Sequence, residues 1–257
     1  MSRGYRTIKL NQKQHTAWIT LDRPDKLNAI NEIMLEELSE AIDSLEKGAN
    51  VRCVVIAGAG EWAFSAGADF TELRKLTPET AKEFSVKGQQ VFSKLEDMCK
   101  PVVAAIRGYA LGGGLELALA CDFRVAADNA ELGFPEIKMG FIPAWGGTQR
   151  LPSIAGVAEA KRLIMLGERV QADEACKMGL VDKVVSLKEL EAEAEALAQR
   201  LCELQPAALK HAKLVVNSVS KVSPDGLKRE TESFVQLISA KEAKEKIDNF
   251  WSQRNKK

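Results

Sequence analysis

Two glutamates stand in surroundings that would change their chemistry. Glu116 is the one charged residue between Arg107 and Asp122, a run containing Gly112-Gly113-Gly114 and then Leu115-Glu116-Leu117-Ala118-Leu119-Ala120-Cys121. The run after the glycines is apolar on every helical face, the pattern of a buried helix. A carboxylate there loses its hydration, and full burial raises a carboxyl pKa by up to about 3–5 units. The glycines ahead of it allow close backbone approach to a ligand and free a helix N-terminus to aim N–H groups at a negative oxygen. An oxyanion-binding turn and a buried acid or base would then lie within one helical turn. The plainer reading is a Gly-rich strand-to-helix turn with a buried Glu paired to an Arg. Twenty residues on, Glu136 lies between Pro135 and Ile137 in a second Gly/Pro-rich stretch, 132–147. On its own it reads as a helix-start charge, because Pro-Glu commonly opens helices. Two carboxyl groups with separable pKa values suit proton transfer, one as acid and one as base. Backbone N–H donors suit an enolate-like oxygen.

The elements needed to position these groups are legible. Thr16–Leu21 alternates as a β-strand, and Asp22-Arg23-Pro24-Asp25 turns the chain. Asn31 caps a helix predicted from Glu32 to Lys47, with Met34, Leu35, Leu38, Ala41, Ile42 and Leu45 at helical spacing and Gly48 as its stop. Val51–Ala57 is a continuous apolar strand of the buried parallel kind. The small residues from Gly58 to Asp69 predict a tight loop that forms a second wall of the site or a plain turn. Thr77-Pro78 starts a helix with Phe84, Gly88, Val91, Phe92 and Leu95 inward. Strands follow at Val102–Ile106, Asp122–Ala127 and Val181–Val185, with helices at Arg150–Leu166 and Asp173–Lys177. From about Leu187 only helical signals remain, broken near Pro206 and Pro224. The prediction is an α/β core followed by helices.

Composition narrows the chemistry. The 257 residues carry 36 basic and 36 acidic side chains, so no broad basic field serves a nucleic acid. No apolar run nears the ~20 residues of a membrane span, and the N-terminus carries no signal-peptide pattern. Five scattered cysteines without a Cys-x-x-Cys pair predict reduced thiols and a cytosolic protein. Two histidines, His15 and His211, make no zinc cluster and no attractive Ser-His-Asp site. Gly112-x-Gly114 lacks the third glycine of a dinucleotide fingerprint, since position 117 is leucine. No phosphate-binding P-loop and no Gly-x-Ser-x-Gly elbow is present.

Taken together, Arg23-Pro24 with Asn28-Ala29, Ala63–Asp69, Gly108–Asp122, Pro135-Glu136-Ile137 and Gly146–Leu151 closely resemble the enoyl-CoA hydratase (crotonase) family, in that family's order, from about Tyr5 to Arg254. The resemblance implies a crotonase-type α/β spiral of ββα turns over residues 1–186 and a helical C-terminal trimerisation region over 187–257. It implies a homotrimer or dimer of trimers, with an acyl-CoA thioester as substrate and no separate cofactor. The thioester oxygen would lie between the N–H groups of Ala68 and Gly113. Lys26, Asn28, Ala29, Ala66, Gly67, Asp69, Gly112, Pro135 and Trp145 would line the CoA and acyl site, with the adenine near Asn28 and Ala66. Family hydratases carry glutamate at both positions matching Glu116 and Glu136, whereas isomerases of the mitochondrial type typically keep only the second. The expected reaction is therefore syn addition of water to a trans-2-enoyl-CoA, with Glu116 as base and Glu136 delivering a proton to the α-carbon. The alternatives are an isomerase, a dehydratase for a specialised short acyl-CoA and, more remotely, an RNA-binding relative. For the last, Lys82, Lys87, Lys94 and Lys100 are the basic stretch, and they read as a solvated face. Two departures stand out. Ala144 and Trp145 replace the usual Gly and small residue, and Gln253 replaces a lysine credited with a CoA phosphate, leaving Arg254 or Lys26 as substitutes.

Overall fold

The computed structural model describes residues 4–219 and 223–254. A hairpin of β1 (Ile8–Lys13) and β2 (Thr16–Leu21) leads to α1 (Glu32–Lys47). Asn31 caps α1 by accepting from the Met34 amide, as its sequence predicts. The chain then repeats one motif. A long buried strand is followed by a three-residue strand and then by helix: β3 (Cys53–Gly58), β4 (Ala63–Ser65), α2 (Phe70–Leu73) and α3 (Pro78–Asp97); then β5 (Val102–Ile106), β6 (Tyr109–Leu111) and α4 (Gly113–Leu119). The third turn is β7 (Phe123–Ala127), β8 (Glu131–Gly133), a 3₁₀ turn at Pro135–Met139 and α5 (Gly147–Met165). β9 (Arg169–Gln171), α6 (Ala172–Lys177) and β10 (Lys183–Val185) close the core, and α7 (Leu190–Glu203), α8 (Pro206–Val219), α9 (Pro224–Ile238) and α10 (Lys241–Arg254) follow.

The long strands form one sheet in the order β1-β2-β3-β5-β7-β10, parallel from β2 onward, and the short ones form a second, β4-β6-β8-β9. This is the expected spiral of ββα turns. The short strands escape sequence reading because three residues cannot display alternation. Ala63–Ser65, read as loop, is one of them.

β3 is buried along its whole length because both sheet faces are covered. Val54 and Ile56 face the main core with α1 and α3. Cys53, Val55 and Ala57 face Leu190, Ala194 and Ala198 of α7. Pro206 and Pro224 each stand at the first residue of a helix, where a missing N–H costs nothing. α5 begins three residues earlier than predicted, at Gly147, and kinks at Gly156 (φ 81°). That earlier start brings a helix N-terminus to the candidate site.

Candidate active site

Glu116 lies in the first turn of α4, which is buried throughout. The turn into α4 passes through Gly112 at φ 51°, a conformation that suits glycine. Among the described residues no arginine pairs with Glu116. Its Oε1 accepts the amides of Trp145 (2.8 Å) and Gly147 (2.7 Å), and among the described residues Oε2 has no partner. Burial drives its proton affinity well up, the Glu230 and Glu136 carboxyls add to this, and the two amides oppose it.

Glu136 does open a helical turn, as its sequence suggests, and its carboxyl is also drawn inward. A Cβ on Gly112 would lie 2.5 Å from Glu136 Oε1, so that glycine makes the room the carboxyl occupies. Glu136 Oε2 is buried without a partner. Burial pushes its pKa up to about 8.

The loop after β4 brings up the second wall. Ile30 takes the Gly67 carbonyl and the Asp69 amide, bracketing Ala68. Gly113, as the first residue of α4, has no carbonyl a turn behind it to bond. The two amides are neighbours: a Cβ on Gly113 would lie 3.5 Å from the Ala68 nitrogen, and one on Gly67 3.2 Å from the Gly113 nitrogen. Glu116, Glu136, Ala68 and Gly113 all line one cavity of about 960 Å³. Lys26, Ala29, Ala66, Gly67, Asp69, Gly112, Pro135 and Trp145 line it too. Two carboxyl groups of raised proton affinity thus face two unspent amide donors, an arrangement for moving protons beside a carbonyl that becomes an oxyanion.

Residues 11–257 match the sequence model of the family described as Enoyl-CoA hydratase/isomerase. The chain belongs to this family. It is 38% identical over 248 residues to a short-chain-enoyl-CoA hydratase of Clostridium acetobutylicum, covering 96% of this chain and 95% of that one. It is 38% identical over 252 residues to a crotonyl-CoA hydratase of Syntrophomonas wolfei, covering 98% and 97%. The crystal structure of an enoyl-CoA hydratase from Bacillus anthracis superposes with a TM-score of 0.82 at 37% identity, covering 96% of this chain and 97% of that one.

Among the residues that the likeness to the enoyl-CoA hydratase/isomerase family suggested, Asn28 needs correction, since it does not line the cavity. Its side chain is fully buried, accepts the Arg23 amide at 3.0 Å, and donates to the carbonyls of Ala59 and Ala63 at 2.9 Å each. It pins the loop that carries Ala66–Asp69 rather than meeting a ligand, and its φ of 53° suits asparagine. Asp69 reaches the cavity wall, but its carboxylate is committed to Thr71 and Arg23. It caps α2 through Thr71 and pairs with Arg23 at 2.8 Å. Burial resists its ionisation, but Thr71 and Arg23 outweigh this and hold its pKa below the usual value. Trp145 fills space. Its ring packs against Phe84 and edge-on to Phe92, and Nε1 donates to the Phe84 carbonyl at 3.2 Å.

Sequence reasoning missed Lys138, Arg169 and Lys246, which join Lys26 on the cavity wall, as does Gln253. The Arg254 side chain lies outside the described residues. Glu230 was missed as well. It hides among Lys228, Arg229 and Glu232, but the spacing Leu227, Glu230, Thr231, Phe234, Ile238 puts it on the apolar face of α9, a signal present in the sequence.

Asn28→Ala leaves the Ala59 and Ala63 carbonyls without their donor. An unsatisfied buried group costs about 1–3 kcal/mol, so thermal unfolding should come at lower temperature while the affinity for acyl-CoA stays within about threefold, an order-of-magnitude allowance for an indirect contact. A large loss of affinity at unchanged stability, read by calorimetry, would restore Asn28 to the ligand site.

Proposed function

We propose that this chain is an enoyl-CoA hydratase that adds water reversibly across a trans-2-enoyl-CoA to give a 3-hydroxyacyl-CoA. What carries the reading is the meeting of Glu116, Glu136 and the Ala68 and Gly113 amides in one cavity. Ala68 and Gly113 donate to the thioester oxygen as it gains negative charge, each donor worth about 3–4 kcal/mol. Glu116, whose two amides oppose the rise that burial imposes on its proton affinity, takes in its ionised form a proton from a water held between the two carboxyls. That water attacks the β-carbon. Glu136, with one oxygen unpartnered, gives its proton to the α-carbon on the same face. Coenzyme A enters as part of the substrate, and the chemistry asks for no further cofactor. Lys26, Lys138 and Lys246 are the cations that would meet its phosphates at the cavity wall, whereas Arg169 there is paired with Glu131 at 2.8 Å.

The RNA-binding alternative loses its basic face. Lys87 is tied to Glu32 and Glu36, Lys94 to Asp43, and Lys100 to the carbonyls of Leu45 and Gly48. The exposed run Leu214-Val215-Val216 on α8 supports assembly through the region after residue 187, as a trimer or dimer of trimers that sedimentation distinguishes.

The acyl chain is proposed to be short. A Cβ on Gly88 would lie 2.1 Å from Trp145 Cδ1, and one on Gly113 2.3 Å from Cζ3. The indole is therefore wedged between α3 and the start of α4, against a donor to the thioester, and blocks extension past it. The names of the Clostridium and Syntrophomonas relatives support the same reading.

Glu116→Gln and Glu136→Gln should each lower hydration of crotonyl-CoA by about 100-fold or more with an unchanged circular-dichroism spectrum. Near-parental turnover in either would remove that residue from the mechanism. The pH dependence follows from Glu136. Its raised pKa keeps the proton through neutrality, so kcat/KM should hold to about 8 and then fall as the acid ionises. A flat profile from pH 7 to 10 would contradict the acid role. Acyl-CoAs of rising length test Trp145. The parent should favour four carbons over eight, and Trp145→Ala should shift the ratio of kcat/KM toward the longer chain by about tenfold or more.

A further inference from the structure

A third carboxyl group stands behind the pair. Glu230 is 3% exposed and does not line the cavity. Its Oε1 accepts the Gly146 amide at 2.6 Å and Gln89 Nε2 at 3.1 Å, and its Oε2 accepts the Thr148 amide at 3.1 Å and the Thr148 hydroxyl. The Thr148 hydroxyl oxygen in turn accepts from Gln149. Burial raises the proton affinity of Glu230, and these hydrogen bonds from Thr148, Gln89 and Gly146 oppose the rise. The amides alternate along the chain. Those of residues 145 and 147 go to Glu116, and those of 146 and 148 go to Glu230. Gly146 at φ 102° begins the alternation at the α5 N-terminus.

We propose that Glu230 is a positioning residue for hydration: by holding the amides of Gly146 and Thr148 it fixes the segment whose other two amides orient Glu116. This rests on the hydratase reading above. The groups facing Glu230 are few. Glu116 faces it from α4 and Glu136 from the 3₁₀ turn, both repelling it. Gln89 and Ser85 of α3 and Thr231 of α9 do not titrate. The nearby cation, Arg150 of α5, spends its guanidinium on the Trp145 carbonyl (2.7 Å) and on Glu96 of α3 (2.6 Å). The Glu230 carboxyl is therefore held by hydrogen bonds, and among the described residues no salt bridge stands between it and Glu116.

The test compares Glu230→Gln, Glu230→Asp and Thr148→Val with the parent, using crotonyl-CoA hydration over pH together with thermal unfolding. In Glu230→Gln one end of the side chain can no longer accept. The segment should shift, and kcat should fall about 10–100-fold with KM within about threefold, as misplacement of a reacting group costs. Loss of the carboxyl should also move the acid limb of kcat/KM, where Glu116 ionises, to lower pH by about one unit. Glu230→Asp keeps the carboxyl but is one methylene short, so kcat should stay low while the limb returns toward the parent position. Thr148→Val removes one donor and should give a smaller fall in kcat. It keeps the question answerable if Glu230→Gln does not fold. Parental kcat and pH limb in folded variants would overturn the proposal. So would lower stability and kcat with a limb that moves in none of them, which marks a merely structural clamp. An inactive parent would instead defeat the hydratase reading and leave the Glu230 contacts unexplained by catalysis.

Discussion

Carboxyl groups buried away from water must be neutralised or supplied with donors, and this chain buries Glu116, Glu136 and Glu230 close enough to influence one another. No lysine or arginine pairs with any of them among the described residues. The donors come mainly from the peptide backbone, from consecutive amides at the start of α5. A helix N-terminus offers such unpaired N–H groups in a fixed array. Supplying them from the main chain leaves Glu116 without a salt-bridging cation to hold it ionised, and burial keeps its proton affinity raised. The same choice explains why α5 must start at Gly147. A Cβ there would lie 2.9 Å from both Cγ and Oε1 of Glu116.

The spiral of ββα turns is what allows the constituents to meet. Each turn ends its short strand at one edge and delivers one part there: the β4 turn Ala68, the β6 turn Gly113 and Glu116, the β8 turn Glu136. Parallel pairing of β4, β6 and β8 sets these deliveries side by side, although they are far apart in the chain. The oxyanion donors are thereby part of the sheet-and-helix framework. Donors that need not reorganise during reaction give the largest electrostatic benefit. Hydrophobic burial on both faces of β3 and β5, by α1 and α3 on one side and α7 on the other, keeps that framework rigid.

How much of this could be read from the residues depended on whether the signal was local. Helix α1, with its cap, spacing and stop, is encoded within its own run of residues, and it forms as read. The burial of Glu116 follows from its neighbours alone. The short second strands carry no periodicity, so they emerge only as partners of one another. The glycines are instructive. Gly112, Gly113 and Gly114 read as a place for close ligand approach. In the fold their missing side chains also make room for the protein itself: Glu136 beside Gly112, Trp145 beside Gly113, and the Ser65 carbonyl beside Gly114. Asn28 illustrates the opposite error. A motif residue in a site-forming loop looks like a ligand contact, yet its hydrogen bonds are spent on holding the loop. Glu230 was hard to read because charged neighbours on a helix normally mean solvent, and only its register with Phe234 and Ile238 says otherwise.

On the proposed reading, Trp145 couples substrate size to catalysis. Its amide orients Glu116, its carbonyl holds Arg150, and its indole packs against the backbone of Gly113, whose amide is the proposed oxyanion donor. A smaller side chain would leave the backbone contacts available but remove the ring that holds the segment against α3, where Ser85 also takes the Ala144 carbonyl. A ring locked at both ends by glycines cannot swing aside for a longer chain without moving a residue that touches the base. On the proposed reading, a limit on acyl length would follow from the same packing that holds the Glu116 carboxyl. Space for a longer chain can be gained only by a change that leaves Gly146 and Thr148 anchored from the far side, and that anchoring is the part Glu230 plays.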